Sequence, residues 1–229
     1  MKICGIQKLT LLDFPGKTAC TIFTAGCNFR CPFCHNASLV TGEAEAMANE
    51  DVAAFLKKRA HLLDGVCITG GEPLLQPDIE ELIRMARSLG YAVKLDTNGA
   101  LPDRLERLIR AGALDYIAMD IKSSPAGYAA AAGLARVDID SVFKSVSLIM
   151  GSKIPYEFRT TAVRGLHTAD DFREIGKRIA GAEKYFIQEF RDSGDLINKN
   201  GLSAFDKRAM EMLAEAARAY VPNVCVRGV

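Results

Sequence analysis

Three cysteines lie close together near the start of the chain, in the stretch GCNFRCPFCHN. Cys27, Cys31 and Cys34 have the spacing C-x3-C-x2-C, and no fourth cysteine accompanies them in that stretch. A cubane [4Fe-4S] cluster has four iron corners, so three cysteines leave one iron open to a ligand that is not protein. An iron with an open position can act on a bound molecule. The spacing therefore predicts a cluster that takes part in catalysis.

A structural zinc site is the strongest alternative for these thiols, with His35 or Cys20 as the fourth ligand. Zinc sites usually take two pairs of ligands from separate knuckles, and His35, directly after Cys34, is awkwardly placed to close a tetrahedron. A ferredoxin-like electron carrier is another alternative, but such clusters generally use four cysteines. We expect the remaining cysteines to be structural. They are Cys4, Cys20, Cys67 and Cys225.

Short apolar runs alternate with segments of helical periodicity along most of the chain, which is typical of βα units. The expected strands are 19–24, 65–69, 92–96, 116–121, 156–162 and 185–190, with 224–226 as a short extra strand. Six helices are expected, and the Ala-rich stretch 126–135 is either a helix or a mobile loop. The N-terminal segment that contains Asp13-Phe14-Pro15-Gly16 is expected to be polar and rich in turns. Periodicity alone does not separate an open sheet from a barrel.

Polar residues follow the predicted strands where those strands end. Because the carboxyl ends of parallel strands lie on one side of an α/β fold, we expect these groups to converge on one opening. Gly70 and Gly71 have no Cβ and would let the backbone approach a ligand closely. Taken singly, each residue is as consistent with a turn or a helix cap as with a binding site. The set comprises Gly70, Gly71, Glu72, Asp96, Thr97, Asn98, Asp120, Lys122, Arg159, Thr160, Thr161, Gln188, Glu189 and Arg191.

Composition limits the class of protein. A chain of 229 residues that is 49% hydrophobic can bury one substantial core and is short for two enzymatic domains. A net charge of +1, from 29 basic and 28 acidic residues, provides no basic surface for nucleic acid. No apolar run approaches the roughly 18 residues of a membrane span, and no signal peptide is expected. Seven cysteines, an odd number, favour a cytoplasmic protein over a disulfide framework.

Two motifs together resemble the radical S-adenosylmethionine superfamily: CNFRCPFC, with an aromatic residue before the last cysteine, and GGEP after the second strand. The segments DFPG, CHN, LDTNG and MDIK are similar to those of activating enzymes of glycyl radical enzymes. Within that group the pattern most resembles the activators of anaerobic ribonucleoside-triphosphate reductase, with the pyruvate formate-lyase activators as near relatives. The resemblance spans roughly residues 8–191.

This resemblance implies a fold and an activity. The fold would be a partial (β/α)6 TIM-like barrel in a single domain, residues 1–229, with the radical core at about 18–191 and the cluster at the barrel mouth. The activity would be reductive cleavage of S-adenosylmethionine at a [4Fe-4S] cluster. The resulting 5′-deoxyadenosyl radical would abstract hydrogen from a glycine of a partner enzyme, and a flavodoxin or ferredoxin would donate the electron.

The resemblance also implies roles for individual residues. Cys27, Cys31 and Cys34 would bind three irons, and the amino and carboxylate groups of S-adenosylmethionine would chelate the fourth. The loop Gly70-Gly71-Glu72 would meet the methionyl amino group. This assignment makes the cofactor the missing fourth ligand of the cluster.

Further residues would hold the rest of the cofactor. Lys122, with Asp120, would meet the methionyl carboxylate. Phe33 and the backbone of His35 would lie near the adenine. Asp120 and Lys122 lie near the end of the predicted strand 116–121, and Phe33 and His35 lie in the cysteine loop.

Two further assignments follow from the same resemblance. Asp96, Thr97 and Asp120 would hold a monovalent cation beside the methionyl carboxylate, as in some of these activators. Arg159 and Arg191 would lie near the nucleoside or the target peptide. The last predicted parallel strand reads QEFRDSG, which differs from the histidine-bearing segment of the formate-lyase activators.

Among radical enzymes, the alternatives are a pyruvate formate-lyase-type activator and an enzyme that acts on a small molecule, for example a modified-nucleobase precursor. Only Cys67 lies between Cys34 and Gly70, so the ferredoxin-like insert of some activators is absent from that stretch. We therefore expect one cluster, with about four irons per chain.

Overall fold

The computed structural model describes residues 1–192, 194–198 and 200–228, and these form one α/β domain around a single eight-stranded sheet. The strands lie side by side in chain order, from β1 at one edge to β8 at the other. β1 is antiparallel to β2, and all later neighbours are parallel. The strands are β1 Ile3–Thr10, β2 Ala19–Thr24, β3 Gly65–Gly70, β4 Ala92–Thr97, β5 Tyr116–Asp120, β6 Tyr156–Ala162, β7 Tyr185–Glu189 and β8 Val224–Arg227.

Helices connect the parallel strands and pack on the apolar face of the sheet. They are α1 Ala37–Thr41, α2 Asn49–Arg59, α3 Ile79–Ser88, α4 Pro102–Arg110, α5 Tyr128–Ala132, α6 Ile139–Gly151, α7 Ala169–Arg178 and α8 Lys207–Arg218, with a 3₁₀ turn at Pro73–Leu75. None of the described helices is long and apolar enough to cross a membrane.

Alternation along each parallel strand separates two faces of the sheet. On β4, Val93 and Leu95 are buried in the core that α3 also enters, whereas Lys94 and Asp96 take the alternate positions. The register places Lys94 beside Cys67 of β3 and Tyr116 of β5. The inner face of the sheet is therefore lined by polar groups that meet across neighbouring strands.

The six expected parallel strands and the extra strand at 224–226 are confirmed, and the Ala-rich stretch contains a short helix, α5. The expectation for the N-terminal segment holds for residues 11–17, which form bends and turns, but it is wrong for residues 3–10, which form β1. Gly5, Gln7 and Lys8 interrupt the apolar pattern there. An edge strand with one exposed face tolerates such residues, since its pairing with β2 rests on backbone hydrogen bonds.

The segment after β1 closes the end of the sheet opposite the cysteines. Phe14 is 2% exposed and packs against Ala19 and Tyr116, at the starts of β2 and β5. A Cβ on Gly65, the first residue of β3, would lie 2.9 Å from the Phe14 ring. The carboxyl ends of the strands, where the cysteine loop lies, remain open.

Candidate active site

A cavity of about 450 Å³ lies at the carboxyl ends of the parallel strands. Its size is in the range of small-molecule binding sites. The structure brings most of the sequence-predicted site residues together around it. They are Cys27, Cys31, Phe33, Cys34, His35, Gly70, Gly71, Asp96, Thr97, Asn98, Asp120, Lys122, Arg159, Thr161 and Gln188.

The cysteine loop is held by a hydrogen bond within the loop and by contacts with Asn98 and with α5. The backbone N–H of Phe29 donates to the Sγ atom of Cys27 at 3.3 Å, and Asn98 Nδ2 lies 3.8 Å from the same sulfur. The backbone N–H of Arg30 donates to the carbonyl of Ala132, at the end of α5, at 2.8 Å. Helix α5 therefore supports the loop.

Burial favours the neutral form of the cysteine thiols. It raises the pKa of Cys27, and it raises the pKa of Cys31 to about 12. Thiolates are the form that binds iron, so cluster uptake would release protons at this site. The charged side chain of Lys122 acts in the opposite direction on both thiols.

The donor set fits an iron–sulfur cluster better than a single metal ion. Within the described residues, no group of three or more His, Cys, Asp or Glu side chains is arranged to hold one ion. Cys20 lies at the start of β2, whereas Cys27 follows the end of that strand. Three soft thiolates around one cavity match cluster ligation, and the zinc alternative loses Cys20, one of its two proposed fourth ligands.

Gly70 and Gly71 line the cavity, but the need for glycine comes from the chain that leads into the cysteine loop. Gly70 has φ +115°, and a Cβ there would lie 2.4 Å from the carbonyl oxygen of Thr24. A Cβ on Gly71 would lie 1.9 Å from the carbonyl oxygen of Gly26. The two glycines let the end of β3 pack directly against the backbone before Cys27.

Glu72 is fully buried beside the cavity rather than among the residues that line it. Its Oε2 accepts the backbone N–H of Asn98 at 2.7 Å, and its Oε1 accepts from Leu74 N–H and the Thr97 hydroxyl at 3.0 and 2.9 Å. Burial raises the pKa of this carboxyl to about 7, although the hydrogen bonds act in the opposite direction. Glu72 therefore ties the GGEP loop to the end of β4.

The predicted cation ligands are already paired with cationic side chains. Asp96 contacts Lys94 and lies 3.2 Å from Arg159, and Asp120 lies 2.8 Å from Arg159 and 3.0 Å from Lys122. The Thr97 hydroxyl donates a hydrogen bond to Glu72. This arrangement does not fit an additional monovalent cation.

Aromatic rings and one buried histidine complete the wall. Phe33 lies edge-on to the His167 ring, with centroids 6.4 Å apart, and the exposed His35 stacks on Phe190 at 6.2 Å. His167 Nε2 bonds to the carbonyl of Lys122 at 2.8 Å. His167 thus fixes the backbone of a residue that points into the cavity.

Sequence reasoning missed parts of this site. Asn98 was expected at the opening but was assigned no specific role there, yet its amide contacts the cysteine loop and donates to Asn28 Oδ1 at 2.8 Å. Lys94 was not singled out, although its alternation with Val93 and Leu95 is the signal that turns it inward. Arg191 lies outside the cavity, where it bonds to Glu189 and the carbonyl of Gly228.

A family comparison agrees with this geometry. The model of the Radical SAM superfamily matches residues 21–179, more than half of the chain. The chain belongs to this superfamily. Membership in the radical SAM superfamily implies a [4Fe-4S] cluster and S-adenosylmethionine as cofactors, and the cavity has the thiols and the polar groups that such cofactors need.

Three relatives differ in how much of the chain they match. A protein of Methanocaldococcus jannaschii, provisionally named a glycyl-radical enzyme activating enzyme, is 32% identical over 98% of this chain and 95% of its own length. The pyruvate formate-lyase-activating enzyme of Clostridium pasteurianum is 28% identical over 86% and 84%. The 7-carboxy-7-deazaguanine synthase of Methanospirillum hungatei is 39% identical, but over only 56% of this chain and 52% of its own length.

A solved structure shares the fold. Streptococcus suis SuiB, solved with bound S-adenosylmethionine, has a TM-score of 0.68 and 18% identity over 90% of this chain and 49% of its own. The chain thus spans about half of SuiB. Radical SAM enzymes have a partial TIM barrel, and the mostly parallel sheet described above has this architecture. The prediction of a partial barrel, rather than an open sheet, is therefore confirmed.

Proposed function

We propose that this radical SAM protein is an activating enzyme for a glycyl radical enzyme. The observation that carries the proposal is one cavity lined by Cys27, Cys31 and Cys34 together with Gly70 and Gly71. The match to the Methanocaldococcus protein over nearly the whole of both chains supports the activase class. The catalytic core would comprise about residues 18–191 of a single domain.

The three cysteines would hold the cluster, and the loop Gly70-Gly71-Glu72 would receive the amino group of S-adenosylmethionine. Because both Glu72 oxygens already accept hydrogen bonds, the loop would contribute backbone groups of Gly70 and Gly71. Lys122 lies in the cavity wall and has ammonium protons beyond the one that it donates to Asp120. It would bind the methionyl carboxylate, with Asp120 orienting it.

Phe33 and the backbone at His35 would form the adenine pocket, and Arg159 would complete the polar floor beneath the cofactor. When bound, the two cofactors supply a one-electron cleavage of the sulfonium that makes hydrogen-atom abstraction possible. The protein's own part is to hold the cofactor in one orientation and to exclude water from the reacting atoms. The side chains of Phe29 and Phe33 are only 3% and 4% exposed, and they help to keep water away from the reacting atoms.

The partner that we propose is an anaerobic ribonucleoside-triphosphate reductase, because the overall pattern of residues 8–191 most resembles the activators of that enzyme. A flavodoxin or ferredoxin would donate the electron. A pyruvate formate-lyase-type partner is the alternative supported by the Clostridium relative. The target glycine would enter at the carboxyl ends of the strands, where the cysteine loop lies.

A second candidate function is a radical reaction on a small molecule. The 39% identity to the deazaguanine synthase favours it, although that match covers 56% of the chain. The two functions differ in where the radical ends: on a protein glycine in the first, and in a small product in the second.

Anaerobic reconstitution with iron and sulfide tests the proposal. We expect about four irons per chain, and an EPR spectrum of the reduced cluster that changes when S-adenosylmethionine is added. Adding the candidate reductase should then produce a glycyl radical doublet. Replacement of Cys27, Cys31 or Cys34 by Ala should abolish cluster binding, while Cys225→Ala, at an exposed position on β8, should retain it.

The outcomes separate the alternatives. About eight irons per chain, or an EPR spectrum that does not change when S-adenosylmethionine is added, would contradict the proposal. A responsive cluster that yields no glycyl radical with either candidate partner, but consumes S-adenosylmethionine with a nucleobase precursor, would support the small-molecule function instead.

A further inference from the structure

A chain of alternating charges crosses the floor of the cavity. Lys94, Asp96, Arg159, Asp120 and Lys122 follow one another in contact, and we call them the floor chain. Both terminal nitrogens of Arg159 lie 3.2 Å from Asp96 Oδ2, and its Nε lies 2.8 Å from Asp120 Oδ1. Lys122 Nζ lies 3.0 Å from Asp120 Oδ2. Within the floor chain, three cations thus neutralise two carboxylates and leave one positive charge. The neighbouring Glu157, 4.0 Å from Arg159, is itself paired with Arg227 at 3.2 Å and does not change this balance.

Asp96 has no oxygen free for another ligand. Its Oδ1 accepts from Lys94, with the Cys67 thiol 3.7 Å away, and its Oδ2 accepts from Arg159 and from the Thr69 hydroxyl at 3.3 Å. Burial alone would raise the pKa of Asp96, but Arg159 and Lys94 hold it below the usual value. The carboxylate is therefore ionised and fully paired.

The alternation of side chains along β4 places Lys94 for this contact. It lies two residues before Asp96 on the inner side of β4, and its side chain is 1% exposed. Apart from Asp96, its ammonium group lies 3.7 Å from the Cys67 sulfur and 6.0 Å from the centroid of the Tyr116 ring. A buried ammonium of this kind is stable only while it is paired. Lys94 and Asp96 therefore depend on each other.

We propose that Lys94 and Arg159 are built-in counter-cations that hold Asp96 and Asp120 in position, so that this enzyme binds S-adenosylmethionine without a monovalent metal cation. The two residues act as positioning residues: they orient Asp120, and through it Lys122, toward the cofactor. The inference rests on the proposed function, because it concerns the same cofactor. A metal cation entering this floor would meet a positive net charge and occupied oxygens.

Measuring the affinity for S-adenosylmethionine as a function of alkali cations tests the inference. The reconstituted enzyme is titrated in buffer with tetramethylammonium as the bulk cation, and again with Na⁺ or K⁺ at the same ionic strength. The dissociation constant of the wild type should change by less than about threefold. In Lys94→Met, one side of Asp96 is unpaired, and Na⁺ or K⁺ should tighten binding by about tenfold, or 1.4 kcal/mol.

Two variants control for charge and for folding. Lys144→Met removes an exposed lysine that pairs with Asp103 and should behave as the wild type in both buffers. Lys94→Arg keeps the charge and should show no gain from alkali cations. If Lys94→Met does not fold, as judged by circular dichroism, the wild-type and Lys94→Arg titrations still decide the question.

Three results would overturn the inference. They are a wild type that binds about tenfold more tightly with Na⁺ or K⁺, a folded Lys94→Met variant whose weakened binding no alkali cation restores, and a Lys94→Arg variant that requires one. A wild type that binds no S-adenosylmethionine in any buffer contradicts the proposed function itself, and is thereby distinguished from a failure of this inference.

Discussion

The hydrogen bonds of a single buried ring determine its protonation state. His167 Nδ1 accepts the backbone N–H of Val163 at 3.0 Å, so the ring proton must lie on Nε2, which donates to the Lys122 carbonyl. If Nδ1 were also protonated, its N–H would face the backbone N–H of Val163, and the two donors would repel each other. Burial lowers the pKa of this histidine in the same direction. The ring can therefore bridge Val163 and Lys122 only while it is neutral.

This gives a prediction for pH. The unfolded chain takes up a proton on His167 near pH 6.5, and the folded protein does so only at lower pH. The free energy of unfolding that His167 contributes is thus complete above about pH 6.5 and falls as the pH drops below it, by up to about 1.4 kcal/mol per unit of pKa difference. Urea unfolding of wild type and His167→Gln at several pH values measures it.

The comparison must use the difference between the two proteins. Glu72, with its pKa raised to about 7, titrates in an overlapping range with the opposite sign, since the folded state holds its proton more strongly. We expect the advantage of the wild type over His167→Gln to shrink from pH 8 to pH 5.5. An advantage that stays constant over this range would show that the neutral ring is not what matters.

Elements were predictable where their signal is local. The six parallel strands carry apolar runs flanked by turn residues, and α7 begins with a local signal of its own, a capping box between Thr168 and Asp171. β1 was missed because one of its faces is exposed. The floor chain was missed in part because strand register brings Lys94 beside Cys67 and Arg159 beside Asp120, and no short motif encodes register. The cysteine loop was predictable because its chemistry lies within eight residues.

A junction between two elements gives the next prediction. Gly71 follows β3, and its missing Cβ lets the Gly26 carbonyl come close enough to accept the N–H of Glu72 at 2.8 Å. Gly71→Ala would place a methyl group 1.9 Å from that carbonyl oxygen, so the strand end and the cysteine loop must separate. We expect a loss of about 1–3 kcal/mol in the free energy of unfolding, and weaker retention of iron after reconstitution.

Gly151→Ala is the matched control for this change. Gly151 is the last residue of α6, and a Cβ there would have nothing within 4 Å. Its free energy of unfolding and its iron content should stay close to those of the wild type. Equal behaviour of the two variants would mean that the contact between β3 and the cysteine loop can relax without cost.

At the scale of the whole molecule, the sheet is closed at one end and open at the other. The polar floor chain lies between the closed and the open end. Its ion pairs are strong only in a poorly hydrated interior, so the closed end must keep water out. The N-terminal segment provides the closure, through Phe14 and through Asp13, whose Oδ2 accepts the Thr21 hydroxyl at 2.6 Å. The segment that precedes the cysteines therefore protects the site from water at the opposite end of the sheet.

Removing the ring that closes this end tests the argument. Phe14→Ala should lower the free energy of unfolding by about 3–5 kcal/mol, because a buried aromatic ring is lost and a cavity remains. Leu12→Ala, two residues away and 89% exposed, should change it by no more than about 0.5 kcal/mol. Hydrogen exchange of the β4 and β5 amides should accelerate in Phe14→Ala alone, because water then reaches the starts of these strands. If both variants unfold at the same urea concentration, the N-terminal segment does not close the sheet, and the floor chain must be shielded by other residues.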